Sequence, residues 1–309
     1  MFKHYSVMLN ECIDNLKIKP DGTYVDCTAG GGGHSFEIAR RLSESGRLIA
    51  IDKDIDAINE CKNRLKQFQN CTLVHNDFHN YEQVLKDLNI EKVDGVLIDL
   101  GVSSFQIDTA ERGFSYRFDA PLDMRMNKEQ SLSAFEVVNT YSEEELTRIF
   151  FEYGEEKFSR KIAKAIVDYR KTQPIKTTLE LVSVAESVLP AKVRFAQGHS
   201  CKRIFQAIRI EVNNEIDDLK DVLISMCNSL NSGGRMCVLT FHSLEDRIVK
   251  ETFKDLNTDC ICPKNLPVCV CNHKRACNLI TRKPIVATPQ ELAENSRSQS
   301  AKLRVIEKV

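Results

Sequence analysis

Asp26-Cys27-Thr28-Ala29-Gly30-Gly31-Gly32-Gly33-His34-Ser35 carries four consecutive glycines between an apolar run and a helical pattern. It follows Thr23-Tyr24-Val25-Asp26, an apolar run with the length of a buried strand. It precedes a helical pattern carrying Phe36, Ile38, Ala39 and Leu42. Four consecutive glycines carry a conformational-entropy cost too large for a bare structural turn. Glycines at the carboxyl end of a strand let a ligand approach the backbone, and a doubly wound sheet binds its ligands at that edge. Gly46 stops the helix. Residues 47–51 read as a second strand that runs into Asp52, 20 residues after Gly32. A carboxylate there can accept hydrogen bonds from both ribose hydroxyls of an adenosine.

Beyond this loop, helical and strand patterns continue to alternate: a helix over 55–68, a strand over 72–75, a helix over 81–88 and a strand over 93–100. That rhythm is the mark of a parallel sheet covered by helices. It breaks over 108–209, where no strong strand pattern occurs and helices are expected over 142–151, 155–171, 178–189 and from 201 onward. A helix over 204–231 is expected to end at Ser232-Gly233-Gly234, ahead of a fifth strand over 235–241. The next helix has Ser243 and Asp246 in capping-box spacing. The expected architecture is one α/β domain formed by 1–107 and 210–309, interrupted by a helical substrate-recognition domain over 108–209.

Hydrophobic residues make up 42% of the 309 and charged residues 28%, a soluble globular balance. The net charge of −1 excludes a polycation, so nucleic-acid binding must rest on local patches. No apolar run approaches the ~20 residues needed to cross a bilayer, and the N-terminus lacks a signal-peptide core, so a cytoplasmic location without membrane contact is expected. Between 191 and 209 stand Lys192, Arg194, Lys202, Arg203 and Arg209 with no acidic residue, interleaved with Phe195, His199 and Phe205. Residues 157–171 add six basic side chains. Phosphate attraction plus stacking suits RNA, with a solvated basic face as the plainer explanation.

Seven of the twelve cysteines are scattered and five cluster between Cys260 and Cys277. In a cytosolic chain such a cluster points to a metal before disulfides. Cys260, Cys262, Cys269 and Cys271 suit a tetrahedral structural zinc, with His273 as an alternative ligand. A flexible or redox-sensitive loop is the competing reading.

The pattern acidic-x-x-x-Gly-x-Gly from Asp26 favours S-adenosylmethionine over a nicotinamide dinucleotide, because G-x-G-x-x-G fails at Ser35. Asp26 can balance the ligand's ammonium or hold the loop. His34, at a helix start, can cap the helix or meet the ligand's carboxylate. Asp77-Phe78 follows the third strand, where Phe78 offers an apolar face to adenine and Asp77 an acceptor; a loop Asp beside a core Phe is the alternative. Asp99-Leu100-Gly101-Val102-Ser103-Ser104 ends the fourth strand, where the acceptor atom meets the methyl group. It lacks the Asn/Asp/Ser-Pro-Pro-Tyr form of many amino-methylating enzymes, so local chemistry does not name the acceptor.

A family resemblance does. Residues 99–106 (Asp-Leu-Gly-Val-Ser-Ser-Phe-Gln), 111–115 (Glu-Arg-Gly-Phe-Ser), 121–126 (Pro-Leu-Asp-Met-Arg-Met), 153–156 (Tyr-Gly-Glu-Glu), 240–247 (Thr-Phe-His-Ser-Leu-Glu-Asp-Arg) and 300–304 (Ser-Ala-Lys-Leu-Arg) resemble the RsmH (MraW) family, in order and across nearly the whole chain. The resemblance implies a Rossmann-like class I S-adenosylmethionine-dependent methyltransferase acting on a 16S rRNA cytosine N4 at the decoding centre of the small ribosomal subunit. It implies cofactor contacts at Gly32, Gly33, His34, Asp52, Phe78, Asp99 and Gln106, and it admits a homodimer. Asp99 is the expected acceptor from an amine, and Ser103 the nearest hydroxyl for orienting N4, unless that hydroxyl serves its own turn. Phe105 stands where members usually carry Pro, and Ser296 and Gln299 replace the usual Pro and Arg. Two rival readings are an NAD-linked oxidoreductase and a non-enzymatic ribosome-assembly factor on the same fold.

Overall fold

The computed structural model describes residues 6–194, 200–260, 262, 268, 270, 271 and 273–309. The chain divides into two compact units. One is the chain up to Gly101 together with Asp217–Val309, and the other is Val102–Ile216. These divisions fall six or seven residues outside the 107/108 and 209/210 boundaries read from sequence.

The first unit runs α1 (Leu9–Leu16), β1 (Thr23–Asp26), α2 (Gly33–Ala39), β2 (Arg47–Asp52), α3 (Ile55–Leu65), β3 (Cys71–His75), α4 (Tyr81–Asp87) and β4 (Val93–Asp99). The second unit holds α5 (Ser104–Asp108), α6 (Ala134–Thr140), α7 (Glu143–Glu152), α8 (Ser159–Arg170), α9 (Thr178–Ser187), α10 (Ala191–Arg194) and α11 (Ser200–Asn213). The first unit then resumes with α12 (Leu219–Ser229), β5 (Leu230–Thr240), α13 (Ser243–Leu256), β6 (Cys277–Leu279), β7 (Ile285–Val286), α14 (Pro289–Glu294) and β8 (Lys302–Lys308).

Among the described residues the sheet has eight strands in the order β3-β2-β1-β4-β5-β8-β6, with β7 also pairing β8. The first five are mutually parallel, and β8 runs antiparallel to β5, β6 and β7. Side chains alternate across the sheet, as the period of two requires. Val25, Ile49, Ile51, Val96, Ile98, Met236 and Val238 face a core closed by α4, α12 and α13. Tyr24, Leu48, Ala50, Leu97, Cys237 and Leu239 face a second core closed by α1, α2 and α3. Burial on both faces explains why these strands read as continuous apolar runs.

The helical unit has its own core, with Ile149, Phe150, Ile162, Ile166, Leu181 and Ile208 fully buried. Four of its helices start with a capping box written in the sequence: Ser103/Gln106, Ser133/Glu136, Ser142/Glu145 and Thr177/Glu180. Each box satisfies two backbone donors that the first helical turn leaves unpaired.

Two expectations need correction. The helix expected over 204–231 is two helices, α11 and α12, and the chain between them turns through left-handed Asn214 (φ 50°) and Asp218 (φ 60°). The capping box of α13 is His242/Glu245, one residue ahead of the Ser243/Asp246 pair. Asp246 instead binds Lys302 at 3.0 Å and Arg304 at 2.6 Å, tying α13 to β8. No described helix is long and apolar enough to cross a membrane.

Candidate active site

In this topology β1 lies between β2 and β4, so the chain reverses direction across the sheet at β1. A crevice outside the carboxyl ends of the strands follows at that switch point. Each of the three strands ends on an aspartate: Asp26 on β1, Asp52 on β2 and Asp99 on β4.

The loop after β1 is held by backbone bonds from Cys27 N–H to Leu97 O and from Ala29 N–H to Ile51 O, both 2.9 Å. Asp52 extends this anchoring: its Oδ2 accepts from Gly30 N–H at 2.7 Å and its Oδ1 from Asp54 N–H at 2.8 Å. Gly32 turns the loop with φ +74°, and a Cβ there would come within 3.2 Å of the Cys61 Sγ. A Cβ on Gly33 would collide with Ser6 Oγ at 1.9 Å. The glycines therefore serve a left-handed turn and close packing of α2.

Asp26 is fully buried and holds the loop from beneath. It accepts from Ser35 Oγ at 2.6 Å and from Thr28 N–H at 3.3 Å. Burial raises its carboxyl to about 6 against these bonds. Burial likewise raises Asp52 to about 6. His34 is buried in the first turn of α2, with Nε2 3.2 Å from Val7 O; burial lowers it to about 4. It is therefore neutral near pH 7, and the 3.9 Å from its Nδ1 to Asp99 Oδ2 is no ion pair.

Asp99 is the exceptional carboxylate. Its side chain keeps 24% of its surface, yet Oδ1 is sealed and has no hydrogen-bond partner among the described residues. Burial, then the charges of Asp26 and Glu245, raise it to about 8. Its own N–H donates to Thr28 Oγ1 at 2.6 Å. A buried acceptor without a donor costs free energy until a ligand satisfies it. A cation beside three clustered carboxylates does so and draws Asp99 back to its ionised form. The residues at this edge thus fit S-adenosylmethionine, which carries a sulfonium and an ammonium.

Two contributors escaped the sequence reading. Thr28 pins the end of β4. Glu245, 1% exposed, accepts through Oε2 from Phe241 N–H (2.8 Å) and His242 N–H (3.2 Å), and its charge reaches Asp99. The capping-box spacing of His242 and Glu245 is present in the sequence, but serine is the commoner cap and Ser243 with Asp246 offers the same spacing one residue on.

Phe78 is 8% exposed, packs in the α4-side core and stacks on His79 with ring centroids 4.3 Å apart. Asp77 caps the turn there, accepting from His79 N–H at 3.0 Å and binding Lys53 at 3.2 Å. Burial alone would push Asp77 up, but His79 and Lys53 hold it well below the usual carboxylate range. In the helical unit, Ser103 Oγ accepts from Gln106 N–H at 3.2 Å, and Gln106 Oε1 accepts from Ser103 N–H at 3.0 Å. Gln106 is buried, whereas Phe105 between them is 47% exposed.

The basic stretch looks different in space. Arg209 forms a two-pronged bond with Glu215, 2.8 Å on each arm. Arg194 donates to Glu186 O at 2.9 Å, Arg203 lies 3.6 Å from Glu156, and Phe205 is buried against Tyr116. Phe195 and His199 lie outside the described residues. On α8, Arg170 donates to Val138 O and Tyr141 O, and Lys171 binds Asp168 at 2.7 Å. Lys157, Arg160, Lys161 and Lys164 remain, lining with Glu143 and Phe158 a cleft of about 480 Å³. Arg125 is bidentate on Asp123, with a closest approach of 2.7 Å.

Of the clustered cysteines, Cys260, Cys262 and Cys271 have their sulfurs within 4.8 Å of one another. Cys269 lies outside the described residues, His273 is not in the group, and Cys277 is buried in β6 as part of the core.

Five parallel strands in the order 3-2-1-4-5, an antiparallel strand beside the fifth, and a glycine loop with carboxylates at the switch point define a class I S-adenosylmethionine-dependent methyltransferase fold. The sequence profile of the MraW methylase family matches residues 1–309, and the chain belongs to that family. It is 56% identical over 308 residues to a Clostridium botulinum (strain Loch Maree / Type A3) protein named Ribosomal RNA small subunit methyltransferase H, covering 100% of this chain and 99% of the relative. A protein of the same name from Clostridioides difficile (strain 630) is 53% identical over 309 residues, with 100% and 99% covered.

Proposed function

We propose that this chain transfers a methyl group from S-adenosylmethionine to the N4 amine of a cytosine in 16S rRNA, at the decoding centre of the small ribosomal subunit. Identity above half, sustained over the full length to proteins named as small-subunit rRNA methyltransferases, is the observation that carries the reading. The cytosine and its position rest on the family motifs in 99–106 and 240–247.

S-adenosylmethionine, when bound, supplies an electrophilic sulfonium methyl. Gly32, Gly33, His34, Asp52, Phe78, Asp99 and Gln106 are the residues proposed to hold it. Asp52 fixes the loop through Gly30 and keeps lone pairs for ribose hydroxyls. Asp99 accepts from an amine, with its Oδ1 already sealed from solvent.

A cytosine amine is a poor nucleophile because its lone pair is delocalised into the ring. Orientation and desolvation are therefore the chief tasks of the site, rather than strong base chemistry. Ser103 Oγ already accepts a backbone N–H and still has a proton to donate toward a base. The base must leave its stack to react, which requires a surface that grips the RNA backbone. In the helical unit the lysines and arginine around the α8 cleft are the cations best suited to phosphate.

Expression of this chain in a strain whose 16S rRNA lacks the modification tests the reading. Digested small-subunit RNA should regain N4-methylcytidine. Recovery of a different methylated nucleoside, or no change despite folded protein, would overturn it.

A further inference from the structure

We infer that Cys260, Cys262 and Cys271 form a structural zinc(II) site in the connection between α13 and β6. The three sulfurs converge within 4.8 Å, and the Cys260 and Cys271 sulfurs are 3.8 Å apart. A disulfide requires about 2.0 Å, so these two are not bonded to each other. With zinc–sulfur bonds of about 2.3 Å, two corners of a tetrahedron lie about 3.8 Å apart. The observed separation matches that of two thiolates sharing one tetrahedral ion.

A second contact has the same meaning. Val270 N–H points at Cys262 Sγ from 3.4 Å. A backbone donor on sulfur stabilises a thiolate and orients a metal ligand. Soft thiolates select zinc over calcium or magnesium. The three supply three corners of the tetrahedron.

The location assigns a structural role. The backbone bond from Ala276 N–H to Leu256 O (2.8 Å) and that from Leu279 N–H to the Asn257 side chain (3.2 Å) close the base of the connection. The strand after it begins at Cys277, which pairs with Lys308, and next to it Glu307 pairs with Arg235 at the amino end of the β5 parallel register. The cysteine loop therefore springs from the sheet edge opposite the carboxyl ends that carry Asp26, Asp52 and Asp99. An ion there clips a long connection whose Val268 and Val270 are exposed rather than packed into a core.

The test is metal analysis of the full chain purified under reducing conditions without chelator, paired with cobalt(II) titration. About one equivalent of zinc per chain is expected, falling to background in Cys260→Ser/Cys271→Ser. Cobalt should give the visible bands of a tetrahedral thiolate site together with sulfur charge-transfer absorption, displaced by zinc. Less than about a tenth of an equivalent in a protein that cobalt leaves colourless overturns the proposal. So does zinc retained in full by the double variant. The cobalt titration of the unaltered chain stands even where the double variant fails to fold. Methyl transfer by a folded double variant should stay within about twofold of the parent, whereas a catalytic metal would lower it far more.

Discussion

The Gly30 N–H donates to Asp52 Oδ2 at 2.7 Å, so the side chain at the end of β2 sets the path of the glycine loop that leaves β1. One carboxylate thereby shapes the glycine loop and stands beside it at the carboxyl edge of the sheet. Asp52→Ala removes both functions. We expect S-adenosylmethionine affinity to fall at least about tenfold, close to 1.4 kcal/mol, by calorimetry. Asp52→Asn, which keeps one acceptor, should lose less. Equal affinities in all three proteins would remove Asp52 from the site.

Ser35 and Asp26 form a bond of 2.6 Å beneath the same loop, both side chains fully buried. Ser35→Ala leaves a desolvated carboxylate short of a donor. Unfolding in urea should report a loss of about 1–3 kcal/mol. A change within error would mean that the buried pair contributes nothing net.

Asp99 gives a pH signature. Its folded value, raised to about 8 chiefly by burial, lies above the ~3.9 of an unfolded aspartate. The native state then binds more protons than the unfolded state between these values. Its contribution to stability is complete below the lower value and is lost as pH rises through about 8. Asp99→Asn removes that loss, so the melting temperature of the ligand-free variant should gain on the parent as pH rises across this window. S-adenosylmethionine favours ionised Asp99, so binding should release protons, measurable as buffer-dependent heats. A constant gap in melting temperature with no proton release contradicts the assignment.

Arg209 and the α8 lysines should separate stability from RNA affinity. Arg209→Ala strands Glu215, which is mostly buried, and should cost roughly 3–5 kcal/mol of stability. Lys161→Ala/Lys164→Ala should leave stability nearly unchanged and weaken RNA binding. The slope of its salt dependence should flatten by about 0.7 for each phosphate that the variant no longer neutralises. Weakened RNA binding by a folded Arg209 variant alone would return RNA recognition to the 191–209 stretch.

Much of the first unit was legible because strands buried on both faces write continuous apolar runs, and β1, β2 and β4 each close on an aspartate. The end of α11 was not, since Asn214 and Asp218 adopt left-handed backbone without the glycine that usually announces it. Strand β8 was hidden in Lys302–Lys308, where Leu303 and Val305 serve one face and Ile306 the other, between charges that bind Asp246 and Arg235. The basic stretch misled for a spatial reason. It contains no acid, yet the carboxylates of Glu156 and Glu215, from elsewhere in the helical unit, come to Arg203 and Arg209, and the Glu186 backbone carbonyl takes Arg194. Asp99 was legible as a strand end, but its sealed oxygen and its neighbour Glu245 appear only in three dimensions.

The decisive measurement is methyl transfer by the purified chain from labelled S-adenosylmethionine to small ribosomal subunits lacking the modification, followed by nucleoside analysis. Label is expected in N4-methylcytidine, with turnover reduced at least about a hundredfold by Asp99→Ala. Label in any other nucleoside would contradict the proposed target, and cofactor binding without transfer to subunits or free RNA would make the chain a binding factor instead of an enzyme.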